Sequence, residues 1–263
     1  MTSAREALGP QDLSAPGCYV YGVVPWAEGL LPSDLTGLSG APVRLVREGE
    51  LAVVVSDLPL DQPPGRAPDV VAHHEVLDAI AGVTSVVPVQ FGSLLASEED
   101  VREDLLLARG DDFAALLEEL AGRAQMNLRA SYLDDVVLAE VVREDPDVAE
   151  LRRRTRDVPE DQSYGDRVRL GELVARALDA KRGPDADALM TVVEPLVAAW
   201  SERTSGSGSG DTVLDVALLV DLDRLTEVED TLEGLAEAVH ERMRLQLVGP
   251  LAPYDFVGGA AWA

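Results

Sequence analysis

Two α+β domains are what this sequence predicts, on three observations. Its 263 residues exceed a single typical domain of roughly 100–200 residues. Short β-branched runs punctuated by turn residues occur towards both ends of the chain. Between them lie long segments whose apolar residues recur on one helical face.

Residues 1–17 read as a flexible leader of small residues, Pro and Gly. The N-terminal domain, 18–122, opens with the strand CYVYGVV at 18–24. VRLV and LAVVVS follow as two strands of a hairpin turning at Glu48–Glu50. Residues 57–68 hold five prolines and glycines and form a loop. A helix is expected from about Asp69 to Ala81, with Val70, Val71, Val76, Leu77 and Ile80 apolar. SVVPVQF reads as a strand in which Pro88 marks an end, an edge or a bulge, because it has no N–H for the ladder. Ser97 is an N-cap with Glu98, Glu99 and Asp100 in the first turn, where the helix dipole favours anions. That helix continues through Val101, Leu105, Phe113, Leu116, Leu117 and Leu120. Gly110 inside it costs about 1 kcal/mol relative to Ala, so a break is expected there.

The second domain, 123–263, begins with a strand at 124–131. Asp145 followed by Pro146 pairs an N-cap with Pro at the first helical position, starting a short helix through Arg156. Further helices are expected from about Tyr164 to Arg182 and from Pro184 to about Ala199. SGSGSG at 205–210 is a flexible connector leading to the strand TVLDVALLVD. Leu225, Val228, Leu232, Leu235, Val239 and Met243 recur at spacings of 3 or 4 and define a one-sided helix. LQLVG is the last strand, and Pro250 and Pro253 then hold the C-terminal tail extended. Strand, helices, strand, hairpin, strand, helix, strand is the order of a ferredoxin-like domain.

Hydrophobic and charged residues make up 46% and 27%, a globular composition. With 22 basic against 48 acidic residues the net charge is −26, which disfavours nucleic acid and anionic membranes as partners. The N-terminus has no apolar core of a signal peptide, and no apolar run reaches the ~18–20 residues that span a bilayer. The chain therefore reads as soluble and cytoplasmic.

The search for chemistry yields no catalytic, cofactor-binding or metal-binding residues. SGSGSG lacks the spacing of a dinucleotide loop and precedes a strand instead of following one. His73 and His74 are adjacent, so on a helix their rings point about 100° apart and do not share one ion. They read as helix-surface or packing residues, with Asp78 one turn from His74. Cys18 is the only cysteine, set in an apolar strand, and reads as a buried inert thiol. Residues 151–182 hold nine basic and six acidic side chains, so Arg152, Arg153, Arg154 and Arg156 either pair internally or meet an acidic partner. Aromatics make up only 4%, and they gather at the two ends: Tyr19, Tyr21 and Trp26, then Tyr254, Phe256 and Trp262. The tail either folds back as a plug on a core edge or presents Tyr254 and Phe256 side by side as an apolar contact site.

CYVYGVV, HHEVLDAI, VVPVQFGSLLASEEDVREDL, RVRLGELVARAL and GPLAPYDFV, in this order, resemble the GvpF/GvpL family of gas vesicle proteins from about Cys18 to Val257. Departures from the family pattern are Gln90 in place of Arg, Ser93 in place of Thr, Met126 near a usual Glu, and Leu251-Ala252 in place of Trp-Pro. The resemblance implies a non-enzymatic accessory or minor structural protein for assembling gas vesicles, the hollow protein shells that give cells buoyancy. It implies the small hydrophobic shell subunit as partner, other gas vesicle accessory proteins besides, and two α+β domains of which the second is a modified ferredoxin-like one. Tyr19, Tyr21, Phe91, Tyr254 and Phe256 are the candidate partner-binding residues. The alternative is a small-ligand-binding protein or enzyme on a ferredoxin-like scaffold, and a third reading is a scaffold for assembly factors using Arg152–Arg156.

Overall fold

The computed structural model describes residues 16–203 and 210–258. Most of the expected leader, positions 205–209 of the connector, and Trp262 lie outside the described residues. The chain is mixed α and β with two sheets, and it divides into two compact units. Among the described residues, those up to Ala124 join Pro250–Gly258 in the first unit, and the rest, between Gln125 and Gly249, form the second. This corrects the expectation that the tail belongs to the C-terminal domain. The reason is packing: Ala252 and Tyr254 sit with the first unit's core.

The first unit's sheet has the order β2-β3-β1-β4, with β5 also pairing β1. Its strands are β1 (Pro16–Pro25), β2 (Val43–Glu48), β3 (Leu51–Pro59), β4 (Val87–Pro88) and β5 (Leu94–Leu95). β1 begins two residues before the expected strand, so Pro16 and Gly17 belong to the sheet and not to the leader. β2 and β3 form the expected antiparallel hairpin, and Pro88 lies in the short strand β4 at one end of the sheet order. Ala52–Ser56 of β3 are all buried: Ala52 and Val54 join the cluster under helix α1 (Ala67–Ala81), while Val53 and Val55 point to the opposite face. The Asp69 carboxylate accepts from the N–H groups of Gly65 and Arg66 at 3.2 and 3.0 Å, securing the start of α1. The Arg66 guanidinium and these N–H groups hold Asp69 down at about 2.

Ser97 accepts from the Asp100 N–H at 3.1 Å, as an N-cap should. The helix it starts is not uniform: α2 (Glu98–Asp100) passes into a π-helical stretch, Val101–Leu107, before α3 (Ala108–Glu119). The break falls at Arg109 (φ −136°), next to the expected Gly110.

In the second unit, β6 (Arg123–Tyr132), β7 (Ala199–Glu202), β8 (Thr212–Asp221) and β9 (Met243–Leu251) make a four-stranded sheet of order β7-β8-β6-β9. Its helices are α4 (Asp134–Glu144), α5 (Pro146–Thr155), α6 (Glu160–Val193) and α7 (Leu225–Val239). Asp145 caps α5 by accepting from the N–H groups of Asp147 and Val148 at 2.9 and 3.2 Å. Two helices were expected across Pro184, yet α6 runs straight through it. Proline costs a helix roughly 3 kcal/mol, and here Leu178, Ala186, Leu189, Met190 and Val193 keep one stripe against the core on both sides of it. Met243 begins β9 and does not extend α7.

A charged network secures this helical layer. Arg242 donates to Asp185 at 2.7 Å and to Glu140 at 2.9 Å, and Tyr132 donates to Asp185 at 2.5 Å. Burial raises the Asp185 carboxyl, but hydrogen bonds from Arg242 and Tyr132 outweigh it and leave the group below its ordinary value. No helix among the described residues is long and apolar enough to cross a membrane.

Candidate functional site

Four segments far apart in sequence meet at His73. β1 supplies Tyr19 and Tyr21, α1 supplies His73, His74 and Asp78, the turn after β4 supplies Phe91, and the tail supplies Tyr254. The Tyr19, Tyr21 and Phe91 rings surround that of His73 at centroid distances of 5.5–5.7 Å. Tyr254 lies 6.4 Å from His73 and 5.3 Å from His74.

Hydrogen bonds lock the cluster. The Tyr19 hydroxyl accepts from the Gly92 N–H at 3.2 Å and is hydrogen-bonded to His73 Nδ1 at 2.9 Å. Burial disfavours charge on this ring, whose Nε2 is buried without a hydrogen-bond partner among the described residues. Burial, then the neighbouring His74, lowers the His73 pKa to about 4. Gly92 has φ 97°, a left-handed conformation suited to glycine, which lets the PVQFG segment turn there. The Tyr21 hydroxyl accepts from the Leu38 N–H at 2.9 Å and bonds Ser56 Oγ at 2.8 Å. A Cβ on Gly37 would fall 1.9 Å from that hydroxyl, so glycine is required by close approach.

The tail is held by backbone chemistry. Asp78 accepts the Ala252 N–H at 3.0 Å, and burial raises the Asp78 carboxyl against the pull of that bond. This carboxylate serves the tail, and no ion pair joins it to His74 among the described residues. Ala252, at the position where the family usually has proline, is completely buried in the same core cluster.

The five sequence candidates separate. Tyr19 and Tyr21 are 0% exposed and cannot be partner contacts in this fold, because both rings and both hydroxyls are consumed inside the unit. Phe91 and Tyr254 are partly exposed and pack on that core, and Phe256 is partly exposed too. Tyr254–Phe256 form a 3₁₀ turn, not the extended segment expected, so Tyr254 and Phe256 do not share one face. The tail therefore both plugs the core, through Ala252, and leaves aromatic surface. Sequence reasoning missed His73 as the hub, since its burial depends on three distant segments. Cys18 is buried as expected, and burial raises its thiol pKa despite Arg44 at 3.7 Å. Among the described residues no group of three or more His, Cys, Asp or Glu side chains is arranged to hold a metal.

Residues 17–258 match the family described as "Gas vesicle synthesis protein GvpL/GvpF". The chain belongs to this family. Gas vesicle protein F of a Streptomyces species is 31% identical over 241 residues, covering 91% of this chain and 98% of that one. Gas vesicle protein L of the same strain is also 31% identical, over 258 residues, with 91% and 92% covered. The crystal structure of GvpF from Anabaena superposes with a TM-score of 0.76 at 20% identity, over 93% of this chain and 99% of that one. That of GvpF from Microcystis aeruginosa gives 0.72 at 18% identity, over 92% and 99%. Both share the overall fold of this gas vesicle family member. Four of the five segments that carried the resemblance converge on His73, and the fifth, RVRLGELVARAL, lies in α6 of the second unit.

Proposed function

We propose that this chain is a non-enzymatic accessory protein of gas vesicle assembly that works in the cytoplasm and binds the small hydrophobic shell subunit. The observation that carries the reading is the convergence of four family segments on one locked cluster, with Phe91, Tyr254 and Phe256 left at its partly exposed margin. Aromatic anchors of this kind supply much of the energy in protein interfaces. An apolar subunit awaiting incorporation aggregates unless its surface is covered. A carrier with a net charge of −26 covers it while repulsion keeps loaded complexes apart. The chemistry at His73 supports a packing role: a neutral, sealed imidazole positions side chains and offers no base to a substrate. Other gas vesicle accessory proteins are further partners in this reading.

We read the second unit as a modified ferredoxin-like domain. Its sheet order β7-β8-β6-β9 and its strand–helices–strand–strand–helix–strand succession support that, with α4 and α5 as the additions.

The test is co-purification of a co-expressed shell subunit with the wild-type chain and with a Phe91→Ser, Phe256→Ser variant. The variant should stay folded with a lowered melting temperature, since Phe91 packs on His73, and should retain less subunit by about tenfold or more, given roughly 1 kcal/mol lost per half-buried aromatic. Equal retention would remove these residues from the interface.

A further inference from the structure

The second unit carries a surface feature that the family assignment and the reading above leave unused. Helices α4, α5 and α6 pack against one another. They line two cavities, of about 660 Å³ and about 300 Å³, that share Val142, Arg152 and Leu170 and so form one groove. One end of it is apolar apart from Asp135, with Leu138, Val142, Val148 and Val174. Leu138 is an exposed large hydrophobic at 36%. The other end is lined by Arg152, Arg153, Arg156 and Arg167.

The state of those arginines is informative. Arg153 pairs with Glu150 at 2.7 Å. Arg167 donates to the carbonyls of Thr155 and Val158 at 3.0 and 3.2 Å. The guanidinium groups of Arg152 and Arg156 are exposed and make no ion pair or hydrogen bond among the described residues. They stand open in a chain with 48 acidic side chains, beside an apolar trough.

We propose that this groove docks an acidic amphipathic helix of another polypeptide. Its apolar side chains seat against Leu138, Val142 and Val174, and carboxylates near one end pair with Arg152 and Arg156. The groove lies among helices and joins an apolar stripe to a charged end, which is the form of helix-in-groove recognition. Guanidinium forks match carboxylates in a two-point geometry. The apolar half offers nothing to a free inorganic anion. Residues 151–182 hold nine basic and six acidic side chains in a chain of net charge −26, so attraction for carboxylates is local to this end of the groove. The site is independent of the His73 cluster and of the shell-subunit reading.

The experiment measures fluorescence anisotropy of the full-length chain with a labelled peptide of about 18 residues, leucine on one helical face and glutamate elsewhere. A peptide with serine in place of every leucine, its glutamates kept, is the control. The glutamate peptide should bind, lose affinity as salt rises, and weaken more than about tenfold against the Arg152→Glu, Arg156→Glu variant. Leu138→Asp, at the opposite end, should weaken it similarly, and it decides the matter if the arginine variant fails to fold. The serine control should not bind. No binding of the glutamate peptide, equal affinity for the variants, or equal binding of the serine control would overturn the proposal. Full competition by millimolar inorganic phosphate would reassign the site to a small anion. Self-association of the chain that the arginine variant abolishes would assign the groove to a second copy. Either result overturns the occupant named here.

Discussion

His73 makes stability depend on pH in a window that the structure specifies. Its ring is fully buried, stacks on Tyr21 at 5.5 Å, and is hydrogen-bonded to the Tyr19 hydroxyl through Nδ1. Its pKa falls from an ordinary 6.5 to about 4 in the fold, first through burial and then through His74. Between those values the unfolded chain binds a proton that the folded chain refuses, so stability rises with pH there. His73 therefore leaves stability intact above about pH 6.5 and erodes it as pH falls towards 4. Each pH unit corresponds to about 1.4 kcal/mol, so this one side chain removes about 3 kcal/mol over the window. Urea denaturation at intervals from pH 7.5 to 4 (range set by these values) measures the slope. His73→Phe keeps an aromatic ring among Tyr21, Phe91 and Tyr254 but cannot take up a proton. It loses the Tyr19 hydrogen bond at every pH, lowering stability by about 1 kcal/mol throughout. The difference between the two profiles isolates the titration, because other acids and histidines contribute to both. The variant should lose about 3 kcal/mol less than the wild type between pH 6.5 and 4. Parallel profiles would refute a buried, neutral His73.

Three further outcomes follow from specific contacts. Asp78→Ala leaves the buried Ala252 N–H without its acceptor, costing about 1–3 kcal/mol in urea denaturation. Hydrogen exchange at Ala252 should accelerate well beyond that of the β1 amides, and unchanged exchange there would show that the tail is held by something else. Gly37→Ala drives a methyl group into the Tyr21 hydroxyl and should destabilise by about 2–4 kcal/mol. In a Tyr21→Phe background the same change should cost at least about 1 kcal/mol less, which a double-mutant cycle reads directly. Arg242→Ala strips Asp185 and Glu140 of their shared cation and should cost about 2–3 kcal/mol, whereas a loss below about 0.5 would mean the network behaves as an exposed surface pair.

Local signals in the sequence were reliable where one segment decides its own structure. Ser97 and Asp145 cap as their types and following residues predict, and Glu48–Glu50 turns a hairpin between two β-branched strands. Pro88 sits at one end of the sheet order, where its missing donor costs least. What escaped was whatever depends on distant partners. Pro184 looked like a helix boundary because proline costs a helix its hydrogen bond locally, yet the stripe from Leu178 to Val193 outweighs it. Tyr19 and Tyr21 looked like contact residues because aromatics near a chain end look available. Only the fold reveals that α1, the turn after β4 and the tail enclose them. The extended tail was inferred from Pro250 and Pro253, which forbid regular α-helix but permit the 3₁₀ turn at Tyr254–Phe256. Arg152–Arg156 stood out as charge, but the apolar trough beside it needs three helices folded together.

The proposed shell-subunit contact lies at the tail margin around Phe256. A photo-crosslinking amino acid placed at Phe256, and in a parallel chain at exposed Glu229 on α7, tests it most directly in cells co-expressing that subunit. Crosslinked shell subunit at 256 and none at 229 is the predicted result. Crosslinks at 229 alone, or at neither position in a folded chain, would contradict it.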